Sequence, residues 1–456
     1  MNLRAQLATR AELERFLESH PDLQAVQIMI TDPSGVARGK SVRREELPRI
    51  FESGRQVAGS ILGLDITGED VDATGLVWDT GDADMTARPL AGTLQVTPWL
   101  AAPTGQLMLT MFDGAGAPAA ADPRHALVRV VERFAALGMT PVVACELEFY
   151  LLRQEAGGQL TVAGGGRASE RRKIDAYSLT RLDDLAPVFD EVYRAAQAQG
   201  LPAETLMSEY APGQFEITLH HRDDALRAVD EAVMFKRLLR GVAARHGLIA
   251  CFMAKPFAER AGSGLHVHVS VNDAQGRNRF ASEEPAGTPA LRHAIGGMKA
   301  TMAESMAIFA PNANSYRRFV SESYAPVAPI WGINNRSVSL RVPSGPPLSR
   351  HVEHRIAGAD ANLYLAVATV LSAAERGIRE QRDPGPPVEG NGYAQPGERT
   401  LPRTWQQSLE RAAQSEFLRD ALGQQFLDIY LAIKRQECAR FSAQVTELDY
   451  AWYLRT

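Results

Sequence analysis

The chain of 456 residues is too long for one hydrophobic core and long enough for two or three domains. Its composition, 45% hydrophobic and 23% charged, is that of a soluble globular protein. A net charge of −5 from 49 basic and 54 acidic residues gives no basis for nucleic-acid or membrane binding.

Along the chain, MNLRAQLATRAELERF lacks the apolar centre of a signal peptide, and no apolar run approaches the roughly 18 to 20 residues of a membrane span. A cytoplasmic location is therefore expected. A short amphipathic helix is predicted near Ala11 to Leu17, and AVQIMITDPSGVARGKSV then reads as strand, turn, strand about Asp32-Pro33-Ser34-Gly35. Turn-rich, strand-like sequence continues to Asp113, and GAGAPAAA, Gly114 to Ala121, reads as a linker. Asp122 can cap, and Pro123 can open, a helix with Leu127, Val130, Val131, Phe134 and Leu137 on one face.

Beyond it, helices are predicted around 181–199, 223–246, 290–308 and 358–376. Strands are predicted around 204–210, 213–219, 248–254, 264–271 and 337–342. The fold class is α+β, a β-rich domain over 20–113 followed by a larger mixed domain over 122–456. Cys145, Cys251 and Cys438 are widely spaced and odd in number, and read as core thiols.

Four strand-like or polar segments carry chemistry. In CELEFYLL, Glu146 and Glu148 share one face of a strand, opposite Leu147 and Phe149. Two carboxylates side by side in a core strand need compensation, by water or by a cation. SEYAPGQFEITL adds Glu209 and Glu216, GSGLHVHVS puts His266 and His268 on one face, and RHVEHR holds Glu353 between Arg350 and Arg355. Each alone has a plain structural reading; the last reads as a surface ion-pair cluster. Together, five carboxylates and a histidine suit Mg²⁺ or Mn²⁺. The arginines that follow, Arg317, Arg318, Arg336, Arg341, Arg350 and Arg355, complete what phosphoryl transfer from ATP requires, although no Walker loop is present.

With E-x-E in a strand, E-x6-E around APGQ, GSGLHVHVS, NSYRRFV, NNRSVSLRVP and VEHRIAGADANLYL in this order, the chain resembles the glutamine synthetase family. The resemblance runs from about Ala25 to the C-terminus, and DPSGVARGK resembles the family's N-terminal β-grasp hairpin. It implies a β-grasp domain and a catalytic domain on a curved antiparallel sheet flanked by helices, in a homo-oligomer of stacked hexameric rings, a dodecamer, with sites between neighbouring subunits. It implies one metal site of Glu148, Glu209 and Glu216 and a nucleotide-bound one of Glu146, His266 and Glu353. Arg318, Arg355 and Gly262 match positions that bind glutamate; Arg336 and Arg341 match those that meet the transferred phosphate, and with Arg355 they form the catalytic set. His268 and Ser270 fall where the family contacts ATP.

The implied reaction phosphorylates the γ-carboxylate of glutamate and then joins it to an amine. Where ammonia-using members have an aspartate and a glutamate around ammonium, this chain has Ala58 in VAGSILG and Tyr324 in SESYAPV. The loss of two anions disfavours ammonium and leaves apolar room for a substituted amine. These departures resemble the γ-glutamylamide branch, which includes γ-glutamylpolyamine and γ-glutamylethanolamide synthetases. A glutamine synthetase using ammonia and a catalytically silent relative are the alternatives. The segment LDITGEDVD, with Asp65, Glu69, Asp70 and Asp72, offers anions for a distal ammonium or is a solvated loop, and Ala261 stands where many members have asparagine beside glutamate. Tyr393 lies near the family's site of covalent regulation.

Overall fold

The computed structural model describes residues 6–164, 174–395 and 401–456. Strands β1 (Ala25–Thr31) and β2 (Ala37–Arg43) form the expected hairpin. Its turn closes because Gly35 takes φ +80° and the Asp32 carboxylate accepts the Val36 N–H at 2.8 Å. With β3 (Arg55–Ala58), β4 (Asp84–Pro89), β5 (Gln95–Val96) and β6 (Thr104–Phe112) they make a six-stranded sheet ordered β2-β1-β6-β4-β3, β5 pairing with β6. The parallel pair β1–β6 lies between antiparallel neighbours, and Val26, Ile28, Ile30, Leu107 and Leu109 fill the core beneath.

Residues 114–121, read as a linker, fold back on β6: the Ala119 N–H donates to the Met111 carbonyl, and Ala119 and Ala121 are buried. The cap that follows is as expected and does more than start a helix. Asp122 accepts from Arg124 N at 2.9 Å and also from Thr110 Oγ1 and Met111 N on β6, so one carboxylate ties the first sheet to the helix Pro123–Ala136.

The second sheet is built on β7 (Thr140–Gln154), with β8 (Leu160–Val162), β9 (Ala203–Ser208), β10 (Gln214–Leu219), β11 (Ile249–Cys251), β12 (Leu265–Asn272), β13 (Trp331–Ile333), β14 (Leu340–Val342) and β15 (Val352–His354). Its order is β13-β14-β15-β12-β7-β10-β9, with β8 and β11 on the far half of β7. Pairing is antiparallel except between β13 and β14.

Alternation along β7 sends Cys145, Leu147, Phe149 and Leu151 into the core against the helices Ala186–Ala198, Ala225–Arg245 and Leu363–Glu380. Burying each of the larger ones contributes about 2 kcal/mol, so this face sets the strand's register firmly. Glu146 and Glu148 are thereby turned the other way. Within RHVEHR, which alone read as a surface ion-pair cluster, Val352–His354 is instead a short buried strand, because Val352 fills the core beneath it. Cys145 is buried, while Cys251 and Cys438 are only partly so.

The two sheets share material. Ile429 and Ile433 of the helix Gln424–Ser442 complete the core of the first sheet. The Asn362 side chain, capping the helix Leu363–Glu380, donates to the Asp32 and Pro33 carbonyls of the first hairpin.

Candidate active site

Strand register brings the sequence-predicted residues together. Across β7 and β12, Glu146 is the partner of His266; across β7 and β10, Glu148 is the partner of Glu216. On the other side, Glu353 on β15 pairs with His268, and Arg341 on β14 pairs with Glu353. One face crossed by five adjacent strands thus carries all of them. Residues far apart in the chain meet here because they occupy matching positions in a ladder.

The ligand atoms of Glu146, His266 and Glu353 lie within 4.8 Å of one another, the grouping expected from sequence. Those of Glu148, Glu216 and His266 do so as well. Glu209, expected with Glu148 and Glu216, is not within that distance; it lines the same cavity and borders Glu148. His266 belongs to both groups, its Nδ1 3.0 Å from Glu146 and 3.5 Å from Glu353, its Nε2 3.6 Å from Glu148.

The charge is unevenly compensated. Burial works against ionising Glu353, but Arg355, His268 and His266 hold its carboxyl at about 2. Glu146 is half-buried, and although desolvation opposes its charge, His268 and His266 keep it well below the usual range. On the opposite side, burial and then the neighbouring carboxylates, Glu146 first, push Glu216 well above that range. Burial and Glu148 push Glu209 up to about 7. The charges of Arg336 and Arg355 act on Glu209 in the opposite direction without offsetting this rise. Hard oxygen donors with one imidazole and uncompensated negative charge fit divalent ions such as Mg²⁺ or Mn²⁺.

Arginines face this cluster. Arg355 pairs with Glu353, and Arg341 reaches the other Glu353 oxygen at 2.9 Å while donating to Asn334 Oδ1 at 3.1 Å. Among the described residues the Nε atoms of both are buried without a hydrogen-bond partner. Arg318 is buried and fixed by the Ile356 and Arg355 carbonyls at 2.8 and 3.2 Å. Arg336 is exposed and lines the cavity.

The cavity of about 280 Å³ is lined by Glu148, Glu209, Glu216, Arg318, Arg336 and Arg355, with Gly262 and Tyr324. Gly262 has no room for a side chain, since a Cβ would lie 2.6 Å from the Ala254 carbonyl oxygen. His268 Nε2 is 3.0 Å from Glu146, its Nδ1 is 3.0 Å from His351 Nε2, and Ser270 follows on the same face.

Two sequence-predicted features lie elsewhere. Ala58 ends β3 beside Asp84, in the first sheet, and does not line this cavity. In the acidic segment, Asp65 accepts from Thr67 and Glu69 and pairs with Arg440, which also reaches Glu69 at 2.8 Å. Tyr177, Tyr210 and His351 were not singled out from sequence. For Tyr210 the signal was its place immediately after Glu209; for Tyr177 there was none.

A nine-stranded sheet with helices on its apolar face and this acidic, arginine-flanked cavity on the other defines the glutamine synthetase catalytic fold. The glutamine synthetase catalytic-domain model matches residues 120–453, and the chain belongs to that family. It is 39% identical over 451 residues to γ-glutamylputrescine synthetase PuuA of Escherichia coli, covering 97% of this chain and 94% of the relative. A glutamate–isopropylamine ligase of a Pseudomonas species is 33% identical, with 96% of each chain covered. A γ-glutamylethanolamide synthetase of Streptomyces coelicolor is 31% identical over 95% of this chain and 92% of its own. Among solved structures, a GmaS–ADP complex superposes with a TM-score of 0.85 at 28% identity, covering 97% of this chain and 99% of that one.

Proposed function

We propose that the protein is an ATP-dependent ligase that joins the γ-carboxylate of glutamate to an organic amine. A γ-carboxylate oxygen attacks the terminal phosphorus of ATP and ADP leaves, giving γ-glutamyl phosphate. The amine nitrogen then attacks the acyl carbon, phosphate departs with the carbon–oxygen bond pair, and the nitrogen's proton is released. Glu148, Glu209 and Glu216, and on the other side Glu146, His266 and Glu353, would hold divalent ions, which would supply positive charge to the phosphoryl oxygens. Arg318 and Arg355 hold the glutamate carboxylates beside Gly262. Arg336 and Arg341 neutralise charge on the transferring group, and His268 and Ser270 contact ATP.

The observation that carries the reading is Tyr324 on the cavity wall, where ammonia-using members have a glutamate. Ammonium without that anion forfeits compensation for its hydration, whereas a carbon chain gains about 0.8 kcal/mol per buried methylene. The amine specificities in the names of the three relatives support it. The accompanying proposals are a two-domain chain divided at 20–113 and 122–456, a cytoplasmic homo-oligomer of stacked hexameric rings, and Ala58 completing the site of a neighbouring subunit. Among the described residues no helix is long and apolar enough to cross a membrane. The test is ADP release with glutamate against ammonia, ethanolamine, short monoamines and polyamines. A kcat/KM for ammonia equal to or above every amine returns the protein to glutamine synthesis, and no turnover with any nucleophile makes it a silent relative.

A further inference from the structure

Three tyrosines from separate segments line the same cavity. Tyr177 precedes the helix Leu179–Asp184, Tyr210 lies in the turn between β9 and β10, and Tyr324 lies in the loop before β13. They are 68%, 40% and 54% exposed, unusual for three large aromatic residues around one cavity of a folded enzyme. The Tyr210 and Tyr324 rings stand 6.0 Å apart at 57°.

Their placement is held rather than incidental. Tyr177 and Tyr324 have φ of +57° and +58°, a left-handed backbone that is costly for a bulky side chain and persists where surrounding contacts impose it. Those contacts are present. The Tyr177 N–H donates to the Ser208 carbonyl at 2.9 Å, continuing the edge of β9. The Tyr393 hydroxyl donates to the Ala325 carbonyl at 3.2 Å, fixing the residue after Tyr324. The Tyr210 N–H donates to Glu209 Oε2 at 3.0 Å, so its backbone is tied to a carboxylate of the site.

We propose that Tyr177, Tyr210 and Tyr324 form an aromatic site for the far, charged ammonium end of a diamine. The inference rests on the amine-ligase reading and specifies its substrate. The attacking nitrogen must be neutral, so a monoamine brings no charge to the aromatic faces when it reacts. A diamine keeps one ammonium throughout. Within the cavity Glu148, Glu209 and Glu216 are the proposed metal ligands, Arg318, Arg336 and Arg355 repel a second cation, and the acidic segment at Asp65 and Glu69 is already engaged by Arg440. Aromatic faces attract ammonium without adding a carboxylate that would compete for metal ions.

The experiment compares kcat/KM for putrescine with that for butylamine, the same chain length without the second charge, at neutral pH with saturating glutamate, ATP and Mg²⁺. The wild type is expected to prefer putrescine. Tyr177→Leu, Tyr210→Leu and Tyr324→Leu should each lower the putrescine-to-butylamine ratio, by about tenfold for the strongest, while the corresponding Phe variants retain it. A ratio unchanged in all three Leu variants, or lowered as much by Phe as by Leu, overturns the proposal. So does a wild type that turns over both amines but prefers butylamine, a result that leaves amine ligation intact. A wild type that turns over neither amine overturns this inference, and the amine-ligase reading falls with it only where ethanolamine, the other short monoamines and the longer polyamines also fail.

Discussion

Glu148 and Glu216 stand directly opposite one another in the antiparallel register of β7 and β10. A like-charge pair at that position weakens a sheet unless a cation sits between the carboxylates. Glu216→Gln should therefore leave the metal-free melting temperature at or above that of the wild type, reduce the Mg²⁺-induced rise, and lower turnover by about a hundredfold or more. Calorimetry with and without Mg²⁺, together with ADP release, checks this. A metal-free protein much less stable than wild type would mean that Glu216 serves packing instead.

The same carboxylates predict how metal stabilisation depends on pH. Burial and neighbouring charge raise Glu216 well above the usual range and Glu209 to about 7. A carboxyl raised on folding contributes stability below its ordinary value near 4.5 and loses that contribution as pH rises through the folded value. Metal-free protein should accordingly become less stable between about pH 5 and 8, and the Mg²⁺-induced shift should grow over that window. Melting curves at a series of pH values, with Mg²⁺ or with chelator, test both slopes. A shift that shrinks as pH rises would contradict the assignment.

Ala58→Asp combined with Tyr324→Glu should move preference toward ammonia. Each restored anion contributes about 1 kcal/mol in a partly solvated site, so the ammonia-to-amine ratio of kcat/KM should rise about tenfold or more. Steady-state kinetics decides it, and an unchanged ratio would mean that these positions do not set the choice.

Because Ala58 lies in the first sheet and outside the cavity of its own chain, activity should depend on assembly. Sedimentation is expected to show an oligomer whose dilution-induced dissociation parallels loss of turnover. A fully active monomer would exclude a shared site.

Arg124→Ala should destabilise the protein by about 3–5 kcal/mol, because it strands Asp230. That carboxylate is buried and receives two Arg124 hydrogen bonds at 2.8 and 3.0 Å and the Tyr364 hydroxyl at 2.6 Å. Urea unfolding measures the loss. A change below about 1 kcal/mol would mean that the buried network relaxes around the gap.

Sequence alone determined much of this protein, because its strongest signals are local. Period-two alternation in CELEFYLL and HVHV settled which side chains share a face, and Asp122-Pro123 marked a helix start, since both depend on backbone geometry within a few residues. Ordered motifs identified the family and the grouping of Glu146, His266 and Glu353. What tertiary structure decided is what depends on pairing between distant segments. Only the register of β7, β10, β12 and β15 sets Glu148 against Glu216 and makes His266 common to both groups, while Glu209 lies outside the second. Val352–His354 has no length of alternation to mark it as a strand, so its burial emerged only from packing. Tyr177 carries no local pattern at all; it reaches the cavity because residues 175–177 bond to the end of β9, and loop geometry of that kind is set by the partner strand rather than by the loop's own residues.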